Sequence, residues 1–352
     1  MSIIHIICGA RPNFIKAAPL YRILLKSIHF TPKLIHTGQH YDHSLSKVFL
    51  DEFGIKSPDY FLNVGSGSHT EQVANTMLAY ESLLEKETLP KLVIVIGDVN
   101  ATLSCALVAK RKNLPLAHLE AGLRNRDLSM PEEVNRRLVD HIADYHWTHS
   151  KEATQNLLNE GISKERIRCV GNILIDAYEA LKPQISKREA WRQSGLEESS
   201  YILTTLHRPQ SVDHVHHLSE ILQSLESIEL PIIWPIHPRS KKTLERINIH
   251  PKNLKLVEPL GYIDFMSLLS GAFCVITDSG GIQEETTYLN IPCFTLRDNT
   301  ERPMTVSMGS NTLTNIKTLK NSLQFPKNST IPPLWDGKTS GRILKYLEDL
   351  LT

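Results

Sequence analysis

The sequence predicts an α/β chain built on two doubly wound parallel sheets. Short, continuously apolar runs such as Leu92–Ile96 recur, as strands covered on both faces do. Longer amphipathic runs separate them, which is the rhythm of strand–helix–strand units. The rhythm begins twice, at the N-terminus and again near Tyr201, within 352 residues. At roughly 100–200 residues per domain that length suits two domains.

In the first half, strands are expected at Ile3–Cys8, Lys33–His36, Leu92–Ile96, Leu116–Leu119 and His146–Thr148. Ser68-His-Thr-Glu71 has capping-box spacing and opens a helix with Val73, Met77 and Leu84 on one face. Pro131-Glu132-Glu133 puts proline and two acids in the first turn of another helix. There Val134, Leu138 and Ile142 recur every four residues as an apolar row. The second series of strands is expected at Tyr201–Leu206, Ile232–Ile236, Leu254–Val257, Ala272–Thr277 and Cys293–Leu296.

Residues 171–200 read as polar and helical, broken at Pro183, so a boundary is placed near Gly171-Asn172. Residues 1–172 then form one domain and 173–334 a second. The stretch from Asn311 to Pro333 reads mainly as loop. The amphipathic end of the chain, about 335–352, is expected to pack back on the first domain. Each half is Rossmann-like in this reading, with a ligand cleft between the carboxyl ends of the two sheets.

Composition narrows the function. A 41% hydrophobic chain is not globally disordered. Lys plus Arg number 39 against 38 Asp plus Glu, a net charge of +1. That balance excludes a strongly basic nucleic-acid binder or a polybasic membrane-surface protein and leaves room for a small anionic ligand. No apolar run approaches the roughly 20 residues that span a bilayer, and MSIIHIICGA reads as a buried strand rather than a signal peptide. Five cysteines (Cys8, Cys105, Cys169, Cys274, Cys293) with no CxxC read as small buried hydrophobes in a reducing cytoplasm. Among 16 histidines there is no HExxH and no zinc spacing, so no metal is expected.

The polar residues cluster where strands end. Gly9-Ala-Arg11-Pro-Asn13-Phe-Ile-Lys16 enters a helix that Asn13 is placed to cap; Arg11 and Lys16 flank its N-terminus, a favourable place for phosphate, or else lie on a solvated turn. Pro19 is expected to bend that helix. Asp98 follows LVIVI as a cleft acid or as a helix cap, and Glu120 ends the strand before Gly122. Glu132 and Glu133 complement a helix dipole or do acid–base work, with Arg136 close by. His207 and His237 end two strands of the second half.

The sharpest signal is Thr277-Asp-Ser279-Gly280-Gly281-Ile-Gln283-Glu284-Glu285: a strand, two glycines and a helix, which lets backbone N–H groups approach a diphosphate. It is not a Walker A loop, and no GxGxxG follows the first strand, so no nicotinamide is expected. Thr300-Glu301-Arg302-Pro303 adds another charged strand end. Carboxylates on one edge and phosphate binders on the other suit chemistry at an anomeric carbon whose leaving group is a nucleoside diphosphate. Cationic side chains would offset its charge without a metal.

These residues resemble the non-hydrolysing UDP-N-acetylglucosamine 2-epimerases. GARPNFIK, HTGQHYD, GDVNATL, HLEAGLR, MPEEVNRRLVDHIAD, LHRP, HPR, EPLGY, TDSGGIQEET, TERP and WDGKTSGRI occur in the family's order over nearly the whole chain. The resemblance implies a GT-B-like fold, a homodimer, no cofactor, and interconversion of UDP-N-acetylglucosamine and UDP-N-acetylmannosamine through 2-acetamidoglucal, supplying cell-surface polysaccharide. By motif matching, it implies that Asp98, Glu120, Glu132 and His207 are catalytic. Arg11, Lys16, Phe265, Ser279, Gly280, Gly281, Glu285 and Arg302 would hold UDP, and Arg136, His237 and Glu301 would hold the sugar.

The chain departs from many members at Asn13, where they have Glu, at Pro209-Gln210-Ser211 and at Met304. Tyr41-Asp42 departs after Gln39-His40, in the region that forms a second, activating UDP-sugar site in some bacterial members. The same features occur in relatives that act on UDP-diacetamido-glucuronate sugars. A hydrolysing epimerase, a glycosyltransferase and a UDP-sugar sensor are the other readings.

Overall fold

A computed structural model describes residues 1–9, 11–38, 48, 51–55, 57–247, 249, 251–323 and 330–351, without the side chains of 11 and 12. Gln39-His40-Tyr41-Asp42 and the Arg11 side chain therefore lie outside the described residues. The chain divides into two compact units, Met1–Ala180 with Pro333–Thr352, and Leu181–Pro332. The division falls inside the helix Ile173–Arg188, beyond the Gly171-Asn172 turn. Pro183 does not break this helix as expected. Leu181 and Ile185, both 1% exposed, anchor it on either side, and this burial outweighs the one lost hydrogen bond.

The first unit holds a sheet of β1 (Ser2–Cys8), β2 (Phe30–His36), β3 (Tyr60–Phe61), β4 (Leu92–Ile96), β5 (Leu116–Leu119), β6 (Tyr145–Thr148) and β7 (Ile167–Cys169). All pairs are parallel, in the order β3-β2-β1-β4-β5-β6-β7. The second unit holds β8 (Ile202–Thr205), β9 (Ile232–Pro235), β10 (Leu254–Val257), β11 (Cys274–Thr277), β12 (Cys293–Leu296) and β13 (Asn311–Thr314). They too are parallel, in the order β10-β9-β8-β11-β12-β13. The chain reverses its direction of winding between β1 and β4 and between β8 and β11. At such a switch point the loops leaving the carboxyl ends diverge and open a binding crevice.

The sequence reading missed β3, β7 and β13, and all three are edge strands. An edge strand has only one neighbour and does not need a continuous apolar run. In β13, read as loop, the Asn311 side chain donates to Gln283 Oε1 and Thr305 Oγ1 at 3.0 Å and accepts from Thr295 at 2.7 Å. Those bonds let a polar strand be buried.

The core of the first sheet packs Val93, Val95, Ile35, Cys105 and Leu116 together, and that of the second packs Ile202, Trp234, Ile276 and Phe294. The helix His69–Lys86 starts with both bonds of the Ser68/Glu71 capping box. The helix Pro131–Ile142 overturns its apolar row: Val134 and Leu138 are 39% and 48% exposed, while Glu133, Asn135, Arg136 and Asp140 are buried. Its polar face turns inward because partners there satisfy every charge, as described below.

The last helix, Thr339–Leu351, belongs to the first unit and buries Ile343 and Leu347. Asp176 caps it, accepting from the backbone N–H groups of Thr339 (2.9 Å) and Ser340 (2.7 Å). No helix among the described residues is long and apolar enough to cross a membrane.

Candidate active site

In the first unit, polar side chains converge on the turns that follow β1, β4 and β5. The helix Arg11–Leu24 starts at Arg11, so Asn13 lies within its first turn and is not the cap the sequence suggested. Buried, Asn13 instead donates to the Ile96 carbonyl at the end of β4 (2.7 Å), a bond that ties the β1 turn to its neighbour. One turn on, Lys16 reaches β5 and forms an ion pair with Glu120; the two side chains are 10% and 3% exposed.

Gly97 ends β4 with φ +66, a conformation that favours glycine. A methyl group there would lie 3.2 Å from Glu120 Oε2, 3.8 Å from Lys16 Nζ and 4.0 Å from Asn13 Nδ2. The turn thus brings carboxylate, ammonium and amide against bare backbone. Glu120 itself has φ +69, an unusual conformation for a residue with a side chain and a mark of imposed strain.

Asp98 is the next residue. Arg136, from the helix Pro131–Ile142, forms an ion pair with it, and Asn135 donates to its carbonyl at 2.9 Å. Arg136 also donates to Glu133 at 2.5 Å. Glu133, fully buried, accepts from the backbone of Asn125 and Arg126 (3.1 and 3.3 Å) and from Arg137 (3.0 Å). A buried Arg thus bridges two carboxylates through charge-assisted bonds.

In the second unit, β8 and β11 end side by side. Asp278, fully buried, accepts from the backbone N–H groups of His207 (3.0 Å) and Arg208 (2.9 Å), and His207 Nδ1 lies 3.2 Å from its other oxygen. His237, exposed, sits with its ring centroid 5.7 Å from that of His207. Ser279 precedes Gly280, the first residue of the helix Gly280–Leu289. A side chain at Gly280 would collide with Arg302 Nη1 and come within 2.6 Å of Glu301 Oε1. The glycine turn and the charged turn after β12 are thus packed together.

Arg302 Nε lies 2.8 Å from Glu284, and its Nη1 donates to Glu301 at 2.6 Å. Arg297 donates to the other Glu301 oxygen at 2.8 Å, and Arg208 lies 3.6 Å away. Burial alone would raise the Glu301 carboxyl, but Arg302, Arg297 and Arg208 outweigh it and hold it far below the usual carboxylate range. Glu285 accepts from the Tyr262 hydroxyl at 3.0 Å, and Phe265 is half-buried in the same helix as Tyr262.

Of the residues singled out in the sequence, Lys16, Asp98, Glu120 and Arg136 come together in the first unit. Glu132 is half-buried and outside this hydrogen-bonded set; Glu133 occupies the buried position. Ser279, Gly280, Gly281, Arg302 and Glu301 come together in the second unit, with His207 close to the same switch point. The sequence reading missed His118, Asp140, Asp278 and Glu284 as supports, and it read Glu133 as a first-turn acid rather than as a buried brace for Arg136. A signal for part of this was present: Glu133, Arg136 and Asp140 share one face of a helix by their three- and four-residue spacing.

Residues 23–348 match the family model described as UDP-N-acetylglucosamine 2-epimerase. A UDP-N-acetylglucosamine 2-epimerase of Methanocaldococcus jannaschii is 41% identical over 362 aligned positions, covering 98% of each chain. The crystal structure of Methanocaldococcus jannaschii UDP-GlcNAc 2-epimerase in complex with UDP-GlcNAc and UDP matches with a TM-score of 0.90 at 39% identity, covering 99% of each chain. A UDP-2,3-diacetamido-2,3-dideoxy-D-glucuronate 2-epimerase of Pseudomonas aeruginosa is 34% identical over 99% of this chain and 100% of its own. With two doubly wound parallel sheets of the GT-B-like class and agreement along nearly its full length, this chain belongs to the UDP-N-acetylglucosamine 2-epimerase family.

Proposed function

We propose that the protein interconverts UDP-N-acetylglucosamine and UDP-N-acetylmannosamine without hydrolysis. The C1–O bond breaks and its electron pair leaves with UDP. A base takes the C2 proton, and the C2–H electrons become the C1–C2 double bond of 2-acetamidoglucal. UDP then adds back at C1 while an acid delivers a proton to the opposite face of C2. Early C1–O cleavage makes C1 cation-like, which acidifies a C2–H that is otherwise a poor acid and calls for fixed carboxylates nearby.

The observation that carries this reading is the pairing of Asp98 with Arg136 and of Glu120 with Lys16 at one switch point. Mere nucleotide binding has no need of two carboxylates held in place. Asp98 and Glu120 supply the acid–base chemistry in this proposal, with Glu132 and His207 as further members. Ser279, Gly280, Gly281 and Arg302 hold the diphosphate, with Arg11 and Lys16 adding positive charge. Glu285 suits the ribose hydroxyls and Phe265 the uracil. Arg136, His237 and Glu301 stand nearest the roles assigned to the sugar, Arg136 and Glu301 through the charges they hold in place.

A second substrate is supported by the 34% identity to the diacetamido-glucuronate epimerase. Proton NMR in deuterium oxide, run with UDP-N-acetylglucosamine and with the diacetamido-glucuronate sugar, decides between them. Intact UDP-sugar of both C2 configurations, carrying deuterium at C2, is expected from UDP-N-acetylglucosamine. Exchange of the other sugar alone reassigns the substrate. Accumulating free UDP makes the enzyme a hydrolase, and binding without exchange of any UDP-sugar makes it a sensor.

A cytoplasmic homodimer is part of the same proposal. The helices His69–Lys86, Asn100–Arg111 and Pro131–Ile142 pack side by side and leave Leu78, Val134 and Leu138 exposed, a face that a second copy would cover. Light scattering is expected to give twice the 39.8 kDa chain mass, and a monomer would remove the homodimer from the proposal.

A further inference from the structure

We propose that the buried His118–Asp140 pair, braced by Arg124, is a positioning device that staples together the two turns carrying Asp98 and Glu120. The inference rests on the epimerase reading for its catalytic consequence and on geometry for the staple itself. His118, in β5, and Asp140, in the helix Pro131–Ile142, are both 0% exposed. Both ring nitrogens of His118 have oxygen partners: Nδ1 lies 2.6 Å from Asp140 Oδ1, and Nε2 lies 2.8 Å from the Gly97 carbonyl. The other Asp140 oxygen accepts from the Gly122 backbone N–H at 3.1 Å and from Arg124 at 2.7 Å. Arg124 in turn donates to both oxygens of Glu160, at 2.8 and 2.5 Å.

The positions of these bonds matter more than their number. A carbonyl and the following N–H share one rigid plane, so holding the Gly97 oxygen fixes the peptide that enters Asp98. Asp140 fixes the N–H of Gly122, two residues after Glu120. The Gly97 N–H also donates to the Leu119 carbonyl at 3.0 Å, just before Glu120. The three residues concerned, Gly97, Glu120 and Gly122, have φ of +66, +69 and +81. Of these only Glu120 carries a side chain, and its strained conformation persists because the surrounding bonds hold it. The helix that supplies Asp140 also supplies Arg136 to the Asp98 carboxylate and Asn135 to the Asp98 carbonyl, so one helix sets both ends of that acid.

A buried polar network of this kind is weak evidence for stability beside apolar packing. Its contribution here is directional: it pins two backbone turns to one helix. Small misplacements of a reacting group are costly, on the order of 10²-fold for an ångström.

The test is His118→Gln in the full-length protein, with Asp140→Asn as the second variant. Glutamine reaches Gly97 or Asp140 but cannot bridge them. Deuterium incorporation at C2 gives kcat and KM, UDP affinity is measured by calorimetry, and hydrogen exchange by mass spectrometry follows peptides spanning residues 97–100 and 120–124. The expected result is a fall of about 10²-fold in kcat, with KM and UDP affinity changed less than about twofold and faster exchange in both peptides. A folded variant with wild-type kcat and unchanged exchange overturns the proposal. So does a loss confined to KM. Wild-type protein that turns over no UDP-sugar refutes the epimerase reading and the catalytic consequence with it, while hydrogen exchange still decides whether the staple exists.

Discussion

The two switch points use one topology for different chemistry. At the first, each candidate acid has its own cation: Asp98 has Arg136, and Glu120 has Lys16. At the second, Arg208, Arg297 and Arg302 surround Glu301, and Arg302 also meets Glu284, beside a turn of two glycines. The first arrangement fixes each carboxylate against one cation. The second shares its cations among buried carboxylates beside bare backbone. A doubly wound sheet supplies the place, and the few residues after each strand decide what the place does.

That contrast predicts that substitutions in the two units fail differently. The largest effect is expected for Asp98→Asn, which should cut turnover roughly 10²–10⁴-fold and leave UDP affinity unchanged; an equal loss of affinity would erase the distinction. Arg302→Ala should show the reverse pattern. UDP binding should weaken by about 1.5–3 kcal/mol. The carboxylates of Glu284 and Glu301 would lose a buried partner, so stability should fall by roughly 3–5 kcal/mol, both read by calorimetry. A variant with normal affinity would remove Arg302 from the nucleotide site.

A smaller effect belongs to the first unit and to pH. Burial would raise the Asp140 carboxyl, but His118 and Arg124 outweigh it and lower it from 3.8 to about 2. A lowered carboxyl stabilises the fold at pH above its unfolded value and loses that contribution as pH falls through the folded one. Acid titration of stability should therefore show on the order of 2 kcal/mol lost between about pH 4 and 2. Asp140→Asn should remove that part of the slope, and an unaltered profile would show that Asp140 does not supply it. The smallest effect sharpens the comparison by its location. Ser68→Ala removes a helix cap in the first unit, outside the Asp98–Arg136 and Glu120–Lys16 pairs, and should cost about 1 kcal/mol of stability with unchanged turnover. A change in kcat would mean that activity in this unit follows general stability rather than the local network.

Much of the fold was legible from local pattern. LVIVI, LAHL and CFTL are strands as read, and Ser68 caps its helix as its spacing with Glu71 indicated. The edge strands were not legible, because Tyr60–Phe61 and Asn311–Thr314 are held by one neighbour and, in the second case, by side-chain hydrogen bonds. The row of Val134 and Leu138 misled for a related reason. Apolar periodicity marks the buried face only when the opposite face has no better partners, and here Glu133, Arg136 and Asp140 all find them inside.

By itself, the sequence determined the alternation of strands and helices, the polar and glycine-rich ends of those strands, and the order of motifs that marks the family. Tertiary structure alone decided which ends meet. Lys16 and Glu120 are 104 residues apart, and they pair because β1 lies beside β4 and β4 beside β5. Local propensity acts over a few residues. Strand order comes from closing long loops around a shared core, and only that closure brings charges from distant segments out of water and into contact.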